Sequence, residues 1–273
     1  MNKERRNNLK NVITKARRLL EEDIAKVITR YGILAGGKRL TPDELSLDPQ
    51  ARETRERIDK AIDKERIGGL SLADATDRYV REVSFTSINR LSALRAMEVR
   101  GLLSKETVMR RPEYGGRSLR ERDIAEGNPT LSPDEVLNEA LLKGFRDVGQ
   151  EIQVLFDVDN EYSLVKPNPK ATRELIRLLT EDVTTDDWAQ DDIIGWIYQY
   201  FNEEARVEFK RSGRKPGADD IIVTNQFYTP HWVVRALTDN TLGRIWLEMK
   251  DRCPYLIPES DDPKAPAKVV EKR

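Results

Sequence analysis

The sequence predicts a mainly α protein, a multi-helix assembly with little or no sheet. Three observations predict it. Apolar residues recur at helical spacing over long stretches. Hydroxyl, proline and acid residues stand in helix-start order before several of them. The 273 residues are 38% hydrophobic and 35% charged, which suits surface-rich helices better than a compact β protein.

The first element spans about Arg5 to Tyr31, where Leu9, Val12, Ile13, Ala16, Leu19, Leu20, Ile24, Val27, Ile28 and Tyr31 form one stripe. Gly32 and then Gly36-Gly37 end it. Its early cations, Lys3, Arg5, Arg6, Lys10, Lys15, Arg17 and Arg18, have two readings: a phosphate-facing patch, or a solvated helix face. Thr41-Pro42-Asp43-Glu44 reads as a helix start. Residues 52–66 are so charged that they read as an exposed helix or a connection. A long helical run follows from Ser71 to about Leu103, with Phe85, Ile88, Leu91, Leu94 and Met97 every third residue and Asn89, Arg90, Arg95, Glu98 and Arg100 beside them.

Between Arg110 and Pro133 prolines and glycines break the pattern. Ser132-Pro133-Asp134-Glu135 restarts it, and Pro167 and Pro169 interrupt it again. A short helix around Leu175–Leu179 precedes the acids Asp186, Asp187, Asp191 and Asp192. These acids lead into a strongly patterned helix carrying Ile194, Ile197, Tyr198, Phe201, Ala205 and Phe209. Acids favour a helix amino terminus through the macrodipole, a simpler account than a metal site, so no metal-binding residue is assigned. Arg211 to Gly217 is a basic loop, and Ile221-Ile222-Val223 is compatible with a short strand. A last helix runs from near Pro230 to Lys250. The expected organisation is a helical subdomain over 1–110, a loop-rich connection over 111–133, a second helical subdomain over 134–253 and a proline-rich linker over 254–273.

A net charge of −1 argues against a chain that clamps nucleic acid along its whole length. One cysteine, Cys253, and one histidine, His231, exclude an internal disulfide and a zinc site of clustered Cys and His. Both read as ordinary packing or surface residues. With no long apolar stretch and no signal core, a soluble, cytoplasmic protein is expected.

The most informative stretch is Asn225-Gln226-Phe227-Tyr228-Thr229-Pro230. Thr229 can cap a helix whose first residue is Pro230. Such a helix start presents unpaired amides that suit a carboxylate or a phosphate. The bland alternative is an ordinary helix start with two aromatics in a core. Gln226-Phe227-Tyr228-Thr229-Pro230 resembles the motif preceding the catalytic domain of amino-methyltransferases that act on adenine in DNA. Phe85 to Gly101, Gly195-Trp196-Ile197-Tyr198-Gln199-Tyr200-Phe201-Asn202 and Thr238 to Trp246 resemble segments of the large methyltransferases of BREX (phage growth limitation) defence systems, in the same order. The resemblance covers roughly residues 76–257.

It implies S-adenosylmethionine as cofactor, its amino-acid end held by Gln226, Phe227, Tyr228, Thr229 and Pro230 as one wall of the site. It implies DNA as partner through the complete enzyme, with other defence-system subunits as further candidates. The family's Asp-Pro-Ala-Cys-Gly-Ser-Gly turn and its Asn-Pro-Pro-Tyr or Asn-Pro-Pro-Phe motif are absent from this sequence. Asn128-Pro129-Thr130 and Asn168-Pro169-Lys170 lack the second proline and the aromatic that stacks on an extruded base. The expectation is therefore an amino-terminal fragment without the Rossmann-like core and without catalytic residues of its own, completed by a missing or separately encoded catalytic domain. The alternative is a stand-alone helical DNA-binding or protein-interaction module.

Overall fold

In the computed structural model, which describes residues 1–41, 43–213 and 228–252, every regular element is helical. Two isolated bridges, Ile33 to Arg39 and Arg111 to Arg117, are the extended pairings among the described residues. The mainly α expectation holds. The chain divides into two compact units, Met1–Gln226 and Phe227–Arg273.

The first unit is built on two 28-residue helices, α1 (Lys3–Arg30) and α3 (Leu72–Val99), each about 42 Å long at 1.5 Å per residue. They run antiparallel. The amino-terminal half of α1, through Leu9, Ile13 and Leu20, shares a core with Ile88, Leu91 and Leu94 late in α3. The end of α1, through Ile24 and Ile28, meets Tyr79 and Val83 early in α3. Asn2 caps α1 by accepting from the Arg5 amide at 2.9 Å. Gly32 ends it at φ 78°, where a β-carbon would also collide with Leu45.

Around this pair stand α2 (Pro49–Glu65), α4 (Leu119–Gly127), α5 (Pro133–Gly149), the single turn α6 (Gln153–Phe156), α7 (Pro169–Glu181), the single turn α8 (Thr185–Trp188), α9 (Ile193–Phe201) and α10 (Glu203–Ser212). The larger core draws on α1, α3, α5, α7 and α9, with Phe156 and Trp188 inserted from the short turns. The smaller adds Ile58 and Ile62 of α2 and Val165.

Several local expectations change. Thr41 and Glu44 do form the bonds of a helix start, Glu44 accepting from the Thr41 amide and hydroxyl, but a turn follows instead. Helix α2 begins eight residues later at Asp48-Pro49, because Asp48 caps the Ala51 amide and the spacing of Ile58, Ala61 and Ile62 then faces the core. The charged 52–66 stretch is thus a packed helix. The 111–133 connection contains α4, held by a reciprocal capping box of Ser118 and Glu121. Helix α7 starts at Pro169, well before its apolar run, because both the backbone and the side-chain amide of Asn168 donate to Asp23 of α1 at 2.8 Å. The strand composition at 221–223, the loop 214–217, Cys253 and the 254–273 segment lie outside the described residues.

The second unit contains α11 (His231–Thr238), a π-helical turn (Asp239–Gly243) and α12 (Arg244–Arg252). Among the described residues no helix is long and apolar enough to cross a membrane.

Candidate functional site

The candidate cofactor turn sits where α11 begins. Gln226 and Phe227 lie outside the described residues. Tyr228 is half-buried, and Thr229 and Pro230 are exposed. The helix start is shifted by one residue from the sequence expectation. Pro230, at φ −57° and ψ 143°, takes the capping position, and His231 becomes the first helical residue. A proline ring offers no side-chain acceptor, and Thr229 stands one place too early to cap, so no side chain fills the cap. The Pro230 carbonyl accepts from Val233 at 2.9 Å and Val234 at 3.2 Å. Among the described residues the amides of His231 and Trp232 have no hydrogen-bond acceptor. Two donors at the positive end of the helix, beside an exposed threonine hydroxyl and the lone histidine, can receive a carboxylate.

Two of the family-like stretches, in α3 and in α9, prove to be structural neighbours. Phe85 of α3 packs on Phe201 of α9 with ring centroids 4.8 Å apart, and on Tyr198 at 5.9 Å. The Arg17 guanidinium lies over Phe201 and donates to its carbonyl at 2.7 Å. Helix α3 is also the electrostatic hub. Arg100 donates to the carbonyls of Trp188 and Gln190, both at 2.9 Å. Glu98, its side chain 1% exposed, accepts from the amides of Thr107 and Val108 at 2.6 Å and of Met109 at 2.9 Å. Burial pushes its carboxyl up, against the pull of those donors and of Arg95. The sequence reading placed these charges beside the apolar stripe. Their spacing of two to five residues beside the apolar stripe was the signal that they anchor chain rather than face water.

The basic face of α1 is largely spent on acids. Arg5 pairs with Asp187, Lys10 with Glu203 at 2.7 Å, and Arg18 with Glu204. Arg6 lies over the Trp196 ring. Of the acid cluster, Asp187 closes a capping box with Thr184 on α8, a turn the sequence reading merged with the next helix, and Asp192 accepts from the Trp196 indole at 2.8 Å at the start of α9. Asn128 ends α4, where its side chain accepts from the Thr130 hydroxyl at 2.7 Å.

No family model matches the chain. Its relatives include the adenine-specific methyltransferase BrxX of Escherichia coli O9:H4 (strain HS), 27% identical over 300 aligned residues, which covers 97% of this chain and 24% of the relative. The adenine-specific methyltransferase PglX of Lacticaseibacillus casei (strain Zhang) is 29% identical over 205 residues, covering 65% of this chain and 17% of the relative. The chain is thus similar to BREX adenine-specific methyltransferases, as its motifs suggested, and it spans a quarter or less of the length of these relatives.

Proposed function

We propose that this chain is the helical, amino-terminal part of an adenine-specific DNA methyltransferase of a BREX phage-defence system. In this reading it supplies one wall of the S-adenosylmethionine site and does not transfer methyl groups alone. The observation that carries the reading is the open turn at Tyr228-Thr229-Pro230, whose unpaired His231 and Trp232 amides face a solvent-accessible position inside a sequence stretch with the family's spacing. The amides and the Thr229 hydroxyl hold the cofactor's carboxylate, with Gln226, Phe227 and Tyr228 beside it. The glycine-rich turn and the adenine pocket come from a catalytic domain that carries the two motifs missing from this sequence. DNA is the substrate of the completed enzyme. The exposed apolar side chains of α11, the π-helical turn and α12, among them Trp232, Leu237, Leu242, Trp246 and Leu247, support a further domain at this end. The alternative of a stand-alone DNA-binding module finds less support, because acids already neutralise the α1 cations that would meet phosphates.

The test uses the chain joined to, or mixed with, a catalytic domain bearing the two motifs. The chain alone should give no methyl transfer to adenine and the completed enzyme should give it. Thr229→Val in the completed enzyme should weaken S-adenosylmethionine about tenfold, the loss of one hydrogen bond to a charged group. Its thermal midpoint should stay in place, because Thr229 makes no capping bond. An unchanged cofactor affinity removes Thr229 from the site.

A further inference from the structure

A second feature of the first unit bears on ligand binding and is independent of methyl transfer. A cavity of about 230 Å³ lies between α3, α5, α7 and the 158–167 segment. Its apolar lining includes Leu91, Leu141, Phe145 and Leu175. At its wall sits Arg90, only 6% exposed. Nε of Arg90 donates to the Leu155 carbonyl at 2.7 Å, and Nη2 donates to the Asp157 carbonyl at 2.6 Å and the Ser163 hydroxyl at 2.8 Å. All three acceptors are neutral, and among the described residues no carboxylate pairs with this guanidinium. Nη1 has no hydrogen bond there either. It keeps some accessible surface, and Arg90 lines the cavity.

A buried cation hydrogen-bonded only to neutral oxygens, with the Phe145 ring 5.4 Å away as a further partner, carries a desolvation cost that an incoming anion would offset. Burial lowers the proton affinity of Arg90, against the pull of the Asp157 carboxylate. Two more cations at the cavity, Arg146 and Lys166, are exposed and have no ion pair among the described residues, while Asp159 is the one acid of the lining. The lining therefore carries three positive charges to one negative. The volume exceeds the roughly 150 Å³ of an apolar cavity that admits benzene. It falls short of the roughly 300–1,000 Å³ of pockets for drug-sized ligands.

We propose that this cavity is a binding site for a one-ring organic anion, a single aromatic body carrying one phosphate or carboxylate, with the anionic group on Nη1 of Arg90 and between Arg146 and Lys166. The ring lies against Leu91, Leu141 and Phe145.

The test is isothermal titration and saturation-transfer NMR of the 273-residue chain with phenyl phosphate and with benzoate. Inorganic phosphate and benzyl alcohol represent each half of the ligand alone. One aryl anion should bind saturably with one molecule per chain, and whichever of the two binds tighter identifies the acidic group. Each half-ligand should bind at least about tenfold more weakly. Arg146→Ala with Lys166→Ala should weaken binding about tenfold. Leu142→Trp, at a half-buried lining position, should abolish it by filling the space. These variants leave the Arg90 bonds intact, and far-UV circular dichroism identifies which of them are folded. No saturable binding of either aryl anion overturns the proposal. So does equal binding of a half-ligand, or affinity unchanged in every folded variant.

Discussion

Replacing Trp188 by alanine is expected to lower the folding free energy by about 4 kcal/mol or more, read as a shift of the urea midpoint at constant slope. Trp188 is fully buried and stands in the core shared by α1, α3, α7 and α9. Removing a buried aromatic of this size costs about 3–5 kcal/mol in lost transfer energy and residual cavity. Its indole also donates to the Leu179 carbonyl at 2.8 Å, an acceptor left without that partner. The turn that carries Trp188 is clamped on both sides, by the pairing of Asp187 with Arg5 and by Arg100 on the Trp188 carbonyl. The backbone cannot collapse freely into the vacated space, so the cost falls at the upper part of the range. Trp188→Phe keeps most of the volume and loses the hydrogen bond, for an expected cost of about 1–2 kcal/mol. A cost below about 1 kcal/mol for the alanine variant would place Trp188 outside the core.

Trp188 also marks where the sequence could be read and where it could not. The long helices α1 and α3 were legible because each repeats its apolar spacing for many turns, and α5 because Ser132 and Glu135 announce its start. Helix α4 carried a Ser118–Glu121 capping signature as clear as that one, but with Ile124 as its one buried apolar residue it offered little periodicity. The turn α8 is four residues long, too short for any period, and its tryptophan is placed by contacts with helices distant in sequence. At the candidate cofactor turn, a helix start was legible and its register was not. Thr229 and Pro230 are each acceptable at the capping position, and the difference of one residue is set by backbone angles. The cavity around Arg90 had no sequence signal at all. It needs residues from 87 to 175 brought together, and a lone arginine beside an apolar stripe looks the same whether it faces water or a void.

The other large effect is expected at Glu98. Glu98→Ala should cost about 3–5 kcal/mol near pH 5, because it removes the acceptor of three amides and leaves Arg95, itself buried, without its carboxylate. Those amides belong to a segment with little freedom to rehydrate. Thr107 is fully buried, accepts from Arg120 at 2.9 Å and lies 2.9 Å from where a β-carbon on Gly144 would stand. Glu98→Gln should cost less, about 1–3 kcal/mol: one oxygen can keep Thr107 and Val108, and the new amide group opposes the Met109 donor. The effect should depend on pH. Burial holds the folded carboxyl above its unfolded value of 4.5, so the folded chain binds that proton more tightly. The linked stability is complete below the unfolded value and is lost as the pH rises through the folded one. The gap between wild type and Glu98→Ala should therefore be widest toward pH 4.5 and narrow at higher pH, in paired urea titrations across that range. A gap that widens instead would mean that the three amides and Arg95 outweigh burial. Either slope distinguishes a carboxyl that closes the end of α3 onto the 107–109 segment from one that merely fills space, since a space-filling role leaves the gap flat.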